Sequence, residues 1–503
     1  MAFLDFLLAP VINLKHKPVS NMLASPIACQ EKLMCEFVKA ARNTLFGKEH
    51  LFSTIKTYED FKQHVPLRTY EELLPYFEKI KAGEADVLWK GGPAFFGKTS
   101  GTTSKTKFIP VTKESLNNQV VAPQYAALNY AHRYKNYSFL KGKVLLFSDG
   151  HFFEEVNGIK TAPISTIANA CVPEIYKWLR LPSDKVNSIP DYKKRIQAMI
   201  KASAGKDIRT IVAMPVWLLI FLRALKNKTG KEFKELFPNF KLLLLSGMDY
   251  EPFLPEIKKY INMPFDVLET YPSTEGFIAY QDCLEERGMQ LVLNNGIFFE
   301  FVPVHELYQK NPTRISLRDV EPGINYAMVL NTNAGLWGYI NGDTVRFKTV
   351  FPHRIDITGR IEQYISAFGE HVTVEETDKS IAETAAESDT TIVDYTVAPN
   401  IKNDGSLPYH EWFIEFGQMP ENIIDFSKRL DDKICHRNFS YKDLVMHKAI
   451  ESLKITLVPQ GGFENILKAS GKTGLQQKIP HVRNNYEFAQ QLKEINSIGY
   501  GTI

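Results

Sequence analysis

Between about residues 140 and 300, short unbroken apolar runs alternate with helix-like segments. The runs Lys143 to Phe147, Ile208 to Met214 and Leu242 to Leu245 lack the in-and-out alternation of a strand with one wet face. Tyr192 to Ala202, Val216 to Asn227 and Pro252 to Tyr260 carry apolar residues at helical spacing. A strand that is apolar on both faces must be covered on both faces, and the connecting helices can cover it. The pattern predicts an α/β body whose sheets are covered on both faces. Leu291 to Val302, Tyr326 to Asn331 and Asp343 to Val350 read as mainly antiparallel strands added to it.

The flanks read differently. Gln30 to Phe46 is helical, and Thr57 and Thr69 are N-caps followed by acidic first turns. Lys113 to Arg133 reads as one long helix. After residue 362, a helix at Thr377 to Ala386, strands at Thr391 to Val397 and Trp412 to Phe416, a helix at Ile423 to Cys435, a strand at Leu453 to Val458 and a helix at Glu464 to Ala469 form a compact α+β pattern. The expected division is a large N-terminal domain of mixed sheets and helices, residues 1–362, and a small α+β domain, residues 363–503.

A chain of 503 residues exceeds one ordinary core. Its net charge of +3 gives no reason to expect a nucleic-acid partner. Five scattered cysteines without a C-x-x-C pair fit a reducing cytoplasm rather than a disulfide framework or a zinc site. Met1 to Leu14 carries Asp5 in its apolar stretch and lacks a basic start, so it reads as an amphipathic helix rather than a signal peptide. The run Ile211 to Leu222, interrupted by Pro215, is too short for a membrane span.

The chemistry concentrates at residues 97–107, where two glycines, six hydroxyl residues and lysines can bring backbone N–H groups, hydroxyls and charge to an anion. Two frames compete. Gly92 to Thr99 fits the P-loop pattern G-x-x-x-x-G-K-[ST], but that loop must open a helix, and the residues after Thr99 are poor helix formers. The run from Thr99 through Ser100, Gly101, Thr102 and Thr103 to Lys107 resembles the phosphate loop of adenylate-forming enzymes, with Ser104 where that superfamily usually has Gly.

Further segments follow in the order that resemblance requires. Tyr271-Pro272-Ser273-Thr274-Glu275 resembles an element in which an aromatic ring lies on adenine and an acid holds magnesium. Tyr339-Ile340-Asn341-Gly342-Asp343 resembles one whose carboxylate accepts from ribose hydroxyls. Gly359-Arg360-Ile361-Glu362 resembles the interdomain hinge, with Gly369 and Glu376 downstream, and Lys478 stands where the C-terminal lysine is expected. Singly, each has a bland reading: a turn, a cap, a surface charge.

Closer resemblance is carried by His64-Val65-Pro66, Tyr70-Glu71-Glu72-Leu73, Ser246-Gly247-Met248 with Glu251-Pro252-Phe253-Leu254, Ala334-Gly335-Leu336 and Ile365 to Glu370. These are similar to the GH3 acyl-acid amido synthetases, and the Gln477-Lys478-Ile479-Pro480 tail is similar to bacterial members. The resemblance implies an adenylate-forming architecture with a mobile small domain, ATP and Mg2+ as cofactors with AMP as product, and two half-reactions. A small carboxylic acid, apolar or aromatic, is adenylated; the acyl group then passes to an amino acid's amine.

The same resemblance assigns Thr99 to Thr103 and Lys107 to the phosphates. It assigns Thr270, Tyr271, Ser273, Thr274 and Ser246 to Met248 to the nucleotide, Glu275 to magnesium, Asp343 to ribose, Arg360 to ribose or phosphate, and Lys478 to charge neutralisation at the reacting centre. Val120, Val121, Tyr125 and Leu128 are acyl-pocket candidates that fit a core face equally well, and His132 or Arg133 are carboxylate candidates. An acyl-CoA ligase and a non-catalytic nucleotide-binding protein are the alternatives. The sequence leaves monomer or dimer open.

Overall fold

The computed structural model describes residues 2–99, 107–148, 150, 152–247, 250–307, 309, 311–361, 364–365, 367–368, 370, 372–401, 407–469, 479–483 and 485–498. The chain divides into two compact units. One holds residues 1–341 and 346–356, the other residues 342–345 and 357–503.

The larger unit is built on the expected sheet, which counts twelve strands among the described residues. Five neighbours run parallel, in the order Arg180–Leu181, Lys143–Leu146, Ile208–Ala213, Leu242–Ser246 and Asp266–Pro272. Phe277–Tyr280 then pairs antiparallel with Asp266–Pro272, Met289–Leu291 antiparallel with Phe277–Tyr280 and His353–Arg360, and Ile297–Pro303 antiparallel with Asn325–Thr332 and Ile315–Ser316. Pro215 does not interrupt the apolar run of residues 211–222 so much as divide it. It stands at the start of the helix Pro215–Thr229, where its missing N–H costs nothing. Leu145, Ile211, Leu243 and Leu245 pack with Leu218, Phe221 and Leu222 of that helix and with Ile196 and Ile200 of Tyr192–Ser203.

Two sequence expectations change. The helix expected over residues 113–133 is two, Lys113–Val121 and Pro123–Tyr134, because Pro123 can begin a helix but lacks the N–H to continue one. The strand expected over residues 291–302 splits into Met289–Leu291 and Ile297–Pro303. A second, four-stranded sheet contains Lys107–Val111, Phe95–Thr99, Ile159–Pro163 and Glu154–Val156 in that order.

The smaller unit carries Thr391–Asn400 antiparallel to Tyr409–Gln418, with Lys454–Leu457 parallel to the latter. Its core packs Trp412, Ile414, Tyr395 and Val397 against Ile381, Phe426 and Leu430 of the helices Val374–Glu387 and Ile423–Arg437.

Candidate active site

The phosphate-loop residues span a β-hairpin. Phe95–Thr99 pairs antiparallel with Lys107–Val111, and Thr99 stands directly opposite Lys107. Gly97 and Lys98 therefore lie inside a paired strand. Lys98 pairs with Glu154 on the neighbouring strand. Lys107 Nζ lies 5.2 Å from the Tyr70 ring centroid, and Tyr70 Oη accepts from the Phe108 N–H at 2.9 Å. Ser100, Gly101, Thr102 and Thr103 lie outside the described residues, as do Met248 and Lys478.

The carboxyl ends of the parallel strands gather the next group. Ser246 pairs in register with Thr270, whose Oγ1 donates to the Leu245 carbonyl at 3.3 Å. Gly247 follows with φ +86°, and a Cβ there would lie 3.2 Å from Met214. Tyr271 is buried, and Pro272 closes against Phe277 to leave Ser273–Gly276 as a tight turn. Ser273 N–H donates to the Gly276 carbonyl at 2.9 Å, and Gly276 N–H returns to the Ser273 carbonyl at 3.2 Å. Ser273 Oγ donates to the Glu275 carboxylate. This is where the sheet changes from parallel to antiparallel, the kind of strand-end crevice at which open α/β sheets bind ligands.

The hairpin and this turn touch. A Cβ on Gly97 would lie 2.5 Å from Thr274 Cγ2, so only glycine lets the phosphate hairpin approach that closely. On the helix Lys113–Val121, buried Gln119 donates from Nε2 to the Ser273 carbonyl at 2.9 Å. Sequence reasoning missed both contacts. Gly97 was legible only as part of the P-loop pattern, and Gln119 gave no signal beyond an amide on a helix read for its apolar face.

Asp343 is in the strand Tyr339–Val350, not at a turn preceding one, and Gly342 before it has φ +91°. The Gly342 carbonyl accepts from the Ile361 N–H at 2.7 Å, tying this segment to the end of the strand that carries Arg360. Glu376 has a local task. It forms a capping box with Thr373 at the start of Val374–Glu387, and burial raises its carboxyl above the usual range.

His132 and Arg133 are not at the turn. His132 stacks on His16 with centroids 4.2 Å apart, and Arg133 pairs with Glu285 at 3.7 Å. Asn129, on the same helix, donates to the Asp282 carbonyl at 2.7 Å, beyond the Tyr280 end of its strand. Tyr130, two residues before His132, bonds Asp266 at the amino end of the strand whose carboxyl end leads into that turn, which removes both residues as carboxylate partners there. Of the acyl-pocket candidates, Tyr125 is buried, Leu128 packs against a core of Ile12, Tyr130 and Phe139, and Val120 and Val121 are half-buried.

Residues 15–213 match the GH3 family N-terminal domain, residues 290–360 the GH3 family central domain and residues 375–487 the GH3 family C-terminal domain. The chain belongs to the GH3 family. Among its GH3 relatives, jasmonoyl-L-amino acid synthetase JAR4 of Nicotiana attenuata is 23% identical, covering 81% of this chain and 82% of that protein. Indole-3-acetic acid-amido synthetase GH3.3 of Arabidopsis thaliana is 24% identical over 90% and 88%. The structure of GH3.15 acyl acid amido synthetase superposes with a TM-score of 0.80 at 16% identity, covering 96% of each chain. A 2-hydroxyisobutyryl-CoA ligase in its postadenylation state superposes with a TM-score of 0.59 at 12% identity, over 92% and 91%. The GH3 fold therefore holds for nearly the whole chain.

Proposed function

We propose that this GH3 chain is an ATP-dependent acyl-acid amido synthetase. It is a ligase that forms a C–N bond: a carboxylate attacks the α-phosphorus of ATP and pyrophosphate leaves, then an amino acid's amine attacks the acyl carbon and AMP leaves. The observation that carries the reading is the contact between the phosphate hairpin and the Tyr271–Gly276 turn at the carboxyl edge of the parallel strands. A nucleotide held by both would present its phosphates to the hairpin and its adenine to Tyr271. The relatives named for joining jasmonic or indole-3-acetic acid to amino acids support a small apolar or aromatic acid.

Thr99 to Thr103 and Lys107 would bind the triphosphate, Tyr271 and Ser246 to Met248 would flank the base, Thr270, Ser273 and Thr274 would meet the nucleotide, Asp343 would hold the ribose, and Arg360 would reach ribose or phosphate. Lys478, in the smaller unit, would offset charge between the two reacting anions. Among the described residues no cluster of three or more His, Cys, Asp or Glu forms a cation cage. Magnesium fits regardless, because it is held by one or two carboxylates together with substrate phosphates. Glu275, half-exposed on the turn, is the residue to hold it, and the ion would neutralise phosphate charge there. A cytoplasmic location fits five cysteines that are all free and the lack, among the described residues, of a helix long and apolar enough to cross a membrane.

The test is pyrophosphate release across a panel of carboxylic acids, with hydroxylamine as general acceptor and CoA as the competing one. Acid-dependent release with hydroxamate formation supports the reading. The likeness to a CoA ligase makes the CoA arm the decisive control: turnover with CoA and none with any amine would replace amide synthesis by thioester synthesis. Lys478→Ala should slow pyrophosphate exchange by orders of magnitude while ATP still binds, and an unchanged rate would remove Lys478 from the chemistry.

A further inference from the structure

Two stretches of one part of the chain, residues 95–99 and 107–121, touch the turn that carries Glu275 at two points. The first strand meets Thr274 through Gly97, where a single added carbon would stand 2.5 Å from Thr274 Cγ2. The segment then forms Lys107–Val111 and enters the helix Lys113–Val121 through Thr112. Thr112 caps the helix by accepting from the Ser115 N–H at 3.1 Å, and it anchors the helix start by donating from Oγ1 to the Asn333 carbonyl at 2.8 Å. At the sixth and seventh residues of the helix, Asn118 packs against Gly296 and Gln119 reaches the backbone of the turn. Gln119 is 6% exposed, and its Nε2 donates to the Ser273 carbonyl at 2.9 Å and lies 3.4 Å from the Thr274 carbonyl. These carbonyls precede Glu275, whose carboxylate already accepts from Ser273 Oγ. An amide is the group this place needs: it donates to two carbonyls without carrying charge into a site that must accept a polyphosphate and a cation.

We propose that Gln119 is a positioning residue for adenylation, holding the Ser273–Gly276 turn so that Glu275 meets the cation bound to the triphosphate in the hairpin. The inference rests on the proposed ATP-dependent activity of the same site. Gln119 touches neither substrate nor metal; it acts through the turn. Because the hairpin and the helix are one stretch of chain, their hold on the turn couples the phosphate-binding and cation-binding parts without a separate connector.

The test compares the full-length chain with Gln119→Met, which keeps length but removes the donor, and Gln119→His, which returns an uncharged N–H donor. Outer-shell partners of metal ligands typically contribute ~10–100-fold in affinity or activity. Gln119→Met should therefore lower kcat for acid-dependent pyrophosphate exchange by roughly that range and raise the Mg2+ concentration for half-maximal rate, with KM for ATP nearly unchanged and unfolding by urea shifted little. Gln119→His should recover part of the Mg2+ response. An active wild type with an unchanged Mg2+ response in Gln119→Met would overturn the positioning role alone, as would a rate loss matched by lost stability with the Mg2+ response intact. A wild type that exchanges pyrophosphate with no acid in the panel would overturn the functional reading itself, and the role of Gln119 with it.

Discussion

Glu300 is a carboxylate with no exposed surface, and its surroundings show how far from the reacting groups this fold spends charge. Arg314 Nε donates to it at 2.7 Å, Asn331 Nδ2 at 2.7 Å, and a second guanidinium nitrogen completes a two-point pair. Asn331 Oδ1 accepts from the Gly338 N–H at 2.7 Å, one residue before Tyr339. Arg314→Met should leave this carboxylate without its countercharge and cost ~3–5 kcal/mol, lowering the urea midpoint, whereas Arg314→Met with Glu300→Leu should recover much of the loss. Gly97 makes a second prediction at this scale. Gly97→Ala forces either the hairpin or Thr274 to move, an overpacking cost of about 1–3 kcal/mol. Pyrophosphate exchange should fall more than stability does, because the displaced element is the one that meets the turn.

At the scale of elements, the two lysines beside the phosphate loop separate its two frames. Lys98 would be the phosphate-binding lysine of a P-loop, but it is occupied by Glu154 on the adjacent strand; Lys107 ends the adenylate-forming frame. Lys98→Ala should leave pyrophosphate exchange at the wild-type rate, and Lys107→Ala should lower it, measured side by side at saturating acid. This frame was readable in the sequence because helix propensity after Thr99 is poor. The doubly covered strands were readable as well, since burial on both faces leaves a continuous apolar run, though their parallel order was not. What stayed hidden depends on contacts between distant segments. Nothing local marks Gln119 as the partner of a turn 154 residues away, and the strands Glu154–Val156 and Ile159–Pro163 are too short to carry a period. The single long helix expected over residues 113–133 failed for a readable reason: Pro123 was weighed below the apolar periodicity around it.

At the scale of the molecule, the two units should respond to pH in opposite senses. Burial lowers His353, in the larger unit, from its ordinary 6.5 to about 4, opposed by a hydrogen bond with the Leu317 backbone. The unfolded chain takes up that proton first, so the contribution of His353 is complete above pH 6.5 and is lost as pH falls towards 4. In the smaller unit, burial alone would lower His481, but Asp378 at 2.6 Å and Asp394 at 3.1 Å raise it to about 10. Its contribution is complete below pH 6.5 and declines as pH rises through 10. A third of that side chain is exposed, so solvent screening should make the decline shallow. Urea unfolding across this range should show an acid limb flattened by His353→Gln and an alkaline limb flattened by His481→Gln.

The direct pairing of Thr99 with Lys107 has a consequence for how this protein can change. A loop closed by a formed hairpin is held at its ends, and doubling its length costs only about 0.6 kcal/mol in closure entropy. Lengthening the connection between Thr99 and Lys107 should therefore cost little stability, so a library of loop-length variants could be ranked by turnover directly. Ser104 is the natural place to begin.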